Sequence, residues 1–237
     1  MEWIEVAAPG GRTMRAAVAR PESAGPAPVL VMFHGSGGFA QSWVDLAADF
    51  ARAGYVAVAG AWFAGSAAPR AVPPDLIDCP DAPAFRGSNL DTVRDARALV
   101  DAARALPGVR ADRVGLFGHS RGATLAVLLA CTGADPRAVV AGSGVYSRSI
   151  VEPDSPIIDT LPITLVEDLH APLLLLHSEA DAIVDVVQAR EFAAALERAG
   201  KPFEVHYYQD APHGLWAFPA TKDDVRERAV AFLRRHL

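Results

Sequence analysis

Gly118-His119-Ser120-Arg121-Gly122 stands directly behind the apolar run Arg113-Val-Gly-Leu-Phe117. That spacing puts a serine on a sharp turn between a buried strand and a helical run from Ala123 to Ala130. In a Gly-x-Ser-x-Gly turn the serine backbone is strained and its hydroxyl is lifted above the sheet. Glycine is needed two positions to either side, because larger side chains would collide where strand folds back into helix. Five residues of this type also arise by chance, so the strand before them and the helix after them carry the argument.

A serine hydroxyl is a poor nucleophile at neutral pH unless a base lies within hydrogen-bond reach and a further group fixes that base. In open α/β sheets such groups gather beyond the carboxyl ends of the strands. His213, in Asp210-Ala-Pro-His213-Gly214, follows the last expected strand, Phe203–Tyr208. Asp181, in His177-Ser-Glu-Ala-Asp181, follows the strand before it. The order Ser120, Asp181, His213 is that of hydrolases with this elbow. Competing carboxylates are Glu179, Asp185 and Asp210; Asp185 is expected to cap the next helix, and Asp210 lies on the histidine's own loop. Negative charge on an attacked carbonyl needs N–H donors, expected from the amides of Arg121 and Ser36, with Gly37 as the alternative to Ser36.

Working outward, Trp3–Ala7 and Thr13–Ala19 read as an antiparallel pair around a Pro9-Gly10-Gly11 turn. Val29–Phe33 is a continuous apolar run of the kind buried on both faces, and it ends in His34-Gly-Ser-Gly-Gly38. A helix from Gln41 to Ala53, a strand Tyr55–Ala61 and a helix capped by Asn89 come before the elbow. After it come strands at Ala138–Gly142, Pro172–His177 and Phe203–Tyr208, with helices at 186–199 and from Thr221 onward. Strands alternating with helices imply parallel βαβ units in one α/β domain. The segments 64–88 and 143–170 are irregular, and 64–88 reads either as a border to the site or as a loose insertion. Phe63, Phe85, Tyr146, Trp216 and Phe218 are candidate pocket walls, and Arg70, Arg86 and Arg148 candidate carboxylate binders.

The chain of 237 residues is 51% apolar and carries a net charge of −6 with no basic cluster, so neither nucleic acid nor membrane is expected as a partner. The amino terminus lacks the basic flank and apolar core of a secretory signal, which points to the cytoplasm. His34 is expected to brace its turn, His119 to pack beside the elbow, His177 to end a strand and His206 to alternate along one. No histidine pair has metal-site spacing and no phosphate-binding glycine motif is present, so no metal and no cofactor is expected.

Together these residues resemble the α/β-hydrolase superfamily, and within it the dienelactone hydrolase and prolyl-oligopeptidase-like branch. The likeness runs from Val29 to Leu237 and rests on His34-Gly-Ser-Gly-Gly38, Gly118-His-Ser-Arg-Gly122, His177-Ser-Glu-Ala-Asp181 and Ala211-Pro-His-Gly214. It implies an α/β-hydrolase fold, a mostly parallel sheet of about eight strands with helices on both faces and no large cap domain. It also implies a serine esterase acting on a small-molecule carboxylic ester, thioester or lactone, as a monomer or homodimer. Dienelactone hydrolases proper use a cysteine where this elbow has Ser120, and oligopeptidases carry a large additional domain for which 237 residues leave no room. The rival functions are acyl transfer from the same acyl-enzyme and ligand binding without catalysis.

Overall fold

The computed structural model describes residues 1–23, 25–67, 72–86, 90–149 and 160–237. Arg70 and Asn89, singled out from the sequence, lie outside the described residues. In chain order the described elements are β1 (Glu2–Ala8), β2 (Arg12–Ala19), β3 (Ala27–Phe33), α1 (Gln41–Arg52), β4 (Val56–Gly60), α2 (Leu90–Arg104) and β5 (Val109–His119). They continue with α3 (Arg121–Cys131), β6 (Ala138–Gly142), a 3₁₀ segment (Pro162–Asp168), β7 (Leu173–Ser178), α4 (Val187–Arg198), β8 (Phe203–Tyr208) and α5 (Lys222–His236). The strands form one sheet in the order β1-β2-β4-β3-β5-β6-β7-β8. β1 pairs antiparallel with β2 and β2 with β4; every other neighbouring pair is parallel.

Period-two alternation divides each central strand between two cores. Val29, Val31 and Phe33 of β3, with Leu173 and Leu175 of β7, face the layer of α2, α3 and α4. Leu30, Met32, Leu174 and Leu176 face α1 and α5. Because both faces are covered, these strands read as unbroken apolar runs rather than as alternating ones. α3 is buried on every side, packed on β3, β5 and β6 and flanked by α2 and the 3₁₀ segment. Its sequence, Arg-Gly-Ala-Thr-Leu-Ala-Val-Leu-Leu-Ala-Cys, accordingly shows no polar stripe.

The chain leaves β3 for β4 on one side, then returns across the sheet to β5 on the other. Where the strand order reverses, the segments leaving β3 and β5 part to opposite faces and open a crevice at their carboxyl ends. His34–Gly38 and the serine elbow both lie there.

β5 is longer than the apolar run suggests, since Val109–Arg110 pair with Ala27–Pro28 across a register shift before the buried stretch begins. The described part of 64–88 is tied to the body of the domain by main-chain hydrogen bonds. Gln41 N–H donates to Asp75 O, Ile77 N–H to Phe39 O and Ala64 N–H to Pro83 O. Arg12 of β2 clasps the carbonyls of Pro80 and Ala82.

Candidate active site

Ser120 has φ 54° and ψ −121°, a left-handed conformation that a side-chain-bearing residue adopts only when its surroundings force it. The forcing is steric. A Cβ on Gly118 would stand 2.1 Å from the Gly122 carbonyl oxygen, and one on Gly122 would stand 2.0 Å from that of Phe33. Ser120 N–H donates to Gly142 O at 2.8 Å, and Ser120 O accepts the Ala123 and Thr124 amides at 3.0 and 3.1 Å, so strand and helix hold the turn between them.

His213 follows β8, and its Nδ1 lies 2.7 Å from Asp181 Oδ2. The other oxygen of Asp181 accepts the Ile183 and Val184 amides, each at 2.9 Å. Burial pushes the Asp181 carboxyl up, but the hydrogen bonds from His213 and the two amides outweigh it and leave the group below the ordinary carboxylate range. His177 is fully buried and donates through Nε2 to Val184 O at 2.8 Å, closing the turn behind the carboxylate.

The competing carboxylates have other partners. Glu179 pairs with Arg190. Asp185 accepts the Val187 amide at 2.9 Å at the start of α4, the capping role expected of it. Asp210 lies exposed on its loop.

At the head of β3, Gly35 O accepts the Gly38 amide at 3.1 Å and the Nδ1–H of His34 at 2.9 Å. Gly35 C=O and Ser36 N–H belong to one planar trans peptide, so pinning the carbonyl aims the amide the opposite way. Among the described residues neither the Ser36 nor the Gly37 amide donates to another group. His34 is buried among Phe39, Trp62 and Phe63, and burial drives its pKa down to about 4, which keeps the ring neutral. It braces the turn as the sequence suggests.

Ser120, Arg121, His213, Ser36 and Gly37 line one cavity of about 430 Å³. Trp43, Val145, Ile183 and Trp216 form much of its apolar wall, with Pro73 of the 64–88 segment at its border. Of the aromatic candidates only Trp216 lines it, packed at a tilt against Trp43 with ring centroids 4.5 Å apart. Phe63 and Phe85 pack on each other, Tyr146 stacks on Phe192, and Phe218 lies against the α1–α5 core. Arg86 pairs with Asp95, and Arg148 with Glu191. Among the described residues the arginine that lines the cavity is Arg121, a buried residue whose pKa burial lowers to about 10, still a cation at neutral pH. The sequence reading used only its amide; the position next to a cavity-lining serine was the available signal for the side chain.

His119 packs beside the elbow as expected, its ring centroid 4.8 Å from that of His213, and burial holds it well below the ordinary histidine range. Among the described residues no group of three or more His, Cys, Asp or Glu side chains is placed to hold a metal ion. Among them, too, no helix is long and apolar enough to cross a membrane.

This chain is 26% identical over 249 residues to a Bradyrhizobium protein named probable 2-oxo-3-(5-oxofuran-2-ylidene)propanoate lactonase, covering 100% of this chain and 95% of that one. A crystal structure assigned as a dienelactone hydrolase from Klebsiella pneumoniae superposes with a TM-score of 0.80 at 23% identity, over 99% of this chain and 98% of that one. The acylaminoacyl peptidase of Pyrococcus horikoshii superposes with a TM-score of 0.78 at 16% identity, but this chain covers only 41% of it. The shared part is the α/β-hydrolase fold, and no large cap is present among the described residues. The model of the dienelactone hydrolase family matches residues 14–235, and the chain belongs to that family of α/β-fold hydrolases.

Proposed function

We propose that this protein is a serine hydrolase of carboxylic esters, lactones included, with Ser120 as nucleophile, His213 as general base and Asp181 as the group that orients it. The observation that carries this reading is the 2.7 Å hydrogen bond between Asp181 and His213 at the cavity that Ser120 enters from a strained turn. Asp181 fixes the imidazole with its proton on Nδ1, leaving the Nε2 lone pair to take the serine proton. As Ser120 Oγ attacks the carbonyl carbon, the carbonyl oxygen becomes an oxyanion held by the Arg121 and Ser36 amides. Collapse of the tetrahedral species breaks the ester C–O bond, and His213 returns the proton to the leaving oxygen. In a lactone that oxygen stays tethered to the acyl chain. Water, deprotonated by His213, then releases the acid from Ser120.

The lactonase name of the Bradyrhizobium relative supports the lactone part of the reading, and the propanoate in that name is an anion. Arg121 lines the cavity and is a buried cationic residue, which supports an acyl group that carries a carboxylate.

Intact-mass analysis after fluorophosphonate treatment tests the nucleophile, with Ser120→Ala as control. One adduct on the wild type and none on the variant is the expected result; an adduct that survives the substitution, or none on folded wild type, overturns the reading. Initial rates on matched acyclic esters and lactones, with and without a carboxylate, then define the substrate class.

A further inference from the structure

Ser178 is the last residue of β7, its side chain fully buried, and the sequence gives no reason to single it out. Its Oγ accepts the Ala180 amide at 3.1 Å and donates to the carbonyl of Ala211, with Tyr208 O also at 3.2 Å. A hydroxyl has one proton, and the shorter contact assigns it to Ala211. Ala180 immediately precedes Asp181, and Ala211 lies two residues before His213.

The β7–β8 pairing reaches Ser178 and Tyr208, and Glu179 N–H donates to Tyr208 O at 2.7 Å as the two segments part. Beyond Tyr208, among the described residues, two hydrogen bonds join the turn carrying Asp181 to the loop carrying His213. One is the Ser178 hydroxyl to Ala211, and the other is the Asp181–His213 bond itself. Without the first, the carboxylate–imidazole bond is the one of these two hydrogen bonds left between turn and loop.

We propose that Ser178 is a positioning residue that sets the geometry of the Asp181–His213 pair by tying the acid turn to the base loop. This rests on the assignment of those two residues as acid and base. The Ser178 hydroxyl touches neither substrate nor the reacting atoms. It acts by holding Ala180 and Ala211 at a fixed separation, so that the His213 ring meets Asp181 without first having to order its loop. Misplacement of a catalytic group by about 1 Å costs up to roughly a hundredfold in rate.

Three readouts test this on the full-length protein: kcat and KM on an ester substrate, the pH profile of kcat/KM, and the downfield proton resonance of His213 Nδ1–H. In Ser178→Ala we expect kcat to fall roughly ten- to a hundredfold with KM little changed. The basic group in the pH profile should move down and the Nδ1–H resonance should broaden or shift upfield. Ser178→Thr keeps the hydroxyl and should recover much of the loss. Val100→Ala, a core truncation in α2, lowers thermal stability elsewhere and should leave all three readouts in place.

Wild-type kcat, pH profile and resonance in a folded Ser178→Ala that merely melts earlier would overturn the proposal. If the alanine variant does not fold, Ser178→Cys, with its weaker donor and acceptor, carries the same test: reduced kcat and a displaced resonance support the tie, and wild-type values refute it. Retained turnover in Ser120→Ala would instead sink the serine mechanism. The resonance needs no turnover and would still report on Ser178.

Discussion

Asp181 receives the His213 ring and two backbone amides, so its carboxylate cannot turn without giving up several bonds at once. Replacing it with asparagine keeps the shape but offers an N–H where only acceptors serve. Either the amides or His213 must then meet a donor, and the imidazole is driven toward its other tautomer. Asp181→Asn should lower kcat/KM by about 10⁴-fold with the protein folded, as steady-state kinetics with circular dichroism would establish. Arg121 supports a different prediction, because its amide and its side chain are expected to do separate jobs. Arg121→Met leaves the main chain in place and removes the buried cation. It should cut kcat/KM for carboxylate-bearing esters roughly ten- to a hundredfold and spare neutral ones, a ratio read from paired substrates. Equal losses on both would show that the guanidinium does not read the acyl charge.

At the scale of elements, the cavity wall that contains Val145 is held by two helices. Thr124 Oγ1 of α3 bonds the amide and carbonyl of Val145, each at 3.0 Å. Gln188 of α4 is almost wholly buried, and its Oε1 collects the amides of Tyr146, Ser147 and Arg148 at 3.0, 2.8 and 3.2 Å. Its Nε2 donates to Arg148 O at 2.8 Å, so one side chain replaces the partners that a strand would have supplied. Gln188→Leu would leave the buried Tyr146 amide and the part-buried Ser147 and Arg148 groups without this partner and should destabilise the fold by about 1–3 kcal/mol in denaturant titration. The elbow is less forgiving still. A methyl at Gly122 would overlap the Phe33 carbonyl, so Gly122→Ala should yield little soluble folded protein, and what does fold should not react with fluorophosphonate.

At the scale of the molecule, His34, His119 and His177 are buried and neutral around the site, each with one ring nitrogen that has no hydrogen-bond partner among the described residues. Unfolding returns them to water, where histidine titrates near its ordinary value. Their folded pKa values are depressed, so between the folded and unfolded values the unfolded chain binds more protons. The stability they contribute is complete above about pH 6.5 and is lost as pH falls. For His34, a fall from 6.5 to about 4 corresponds to about 3 kcal/mol lost by the time the pH reaches its folded value. Melting temperature should therefore begin to drop below about pH 6.5, well above the range in which carboxylates titrate. His34→Gln keeps a polar side chain without titrating and should flatten part of that slope.

Most of the strand–helix alternation was legible in the chain itself, because parallel strands covered on both faces need unbroken apolar runs and helices need their own period. Ala138–Gly142 and Phe203–Tyr208 begin and end where their sequences suggest. The elbow was legible for a local reason as well: the backbone of Ser120 demands glycine at two positions that the sequence displays. What lay outside it depended on segments distant in the chain. The choice of Asp181 over Glu179 turns on which carboxylate faces a loop 32 residues later, and both follow the same strand. Phe63, Phe85 and Tyr146 are as apolar as Trp43, but only packing decides which ring meets the cavity and which meets another ring. Ser178 and Gln188 were silent for the same reason, since each gains its role from backbone groups brought to it by a different strand or loop. Local pattern was enough for the elements, their order and the kinds of chemical group at the site. The tertiary structure decided which groups meet, because a hydrogen bond depends on distances of a few tenths of an ångström that no local pattern specifies.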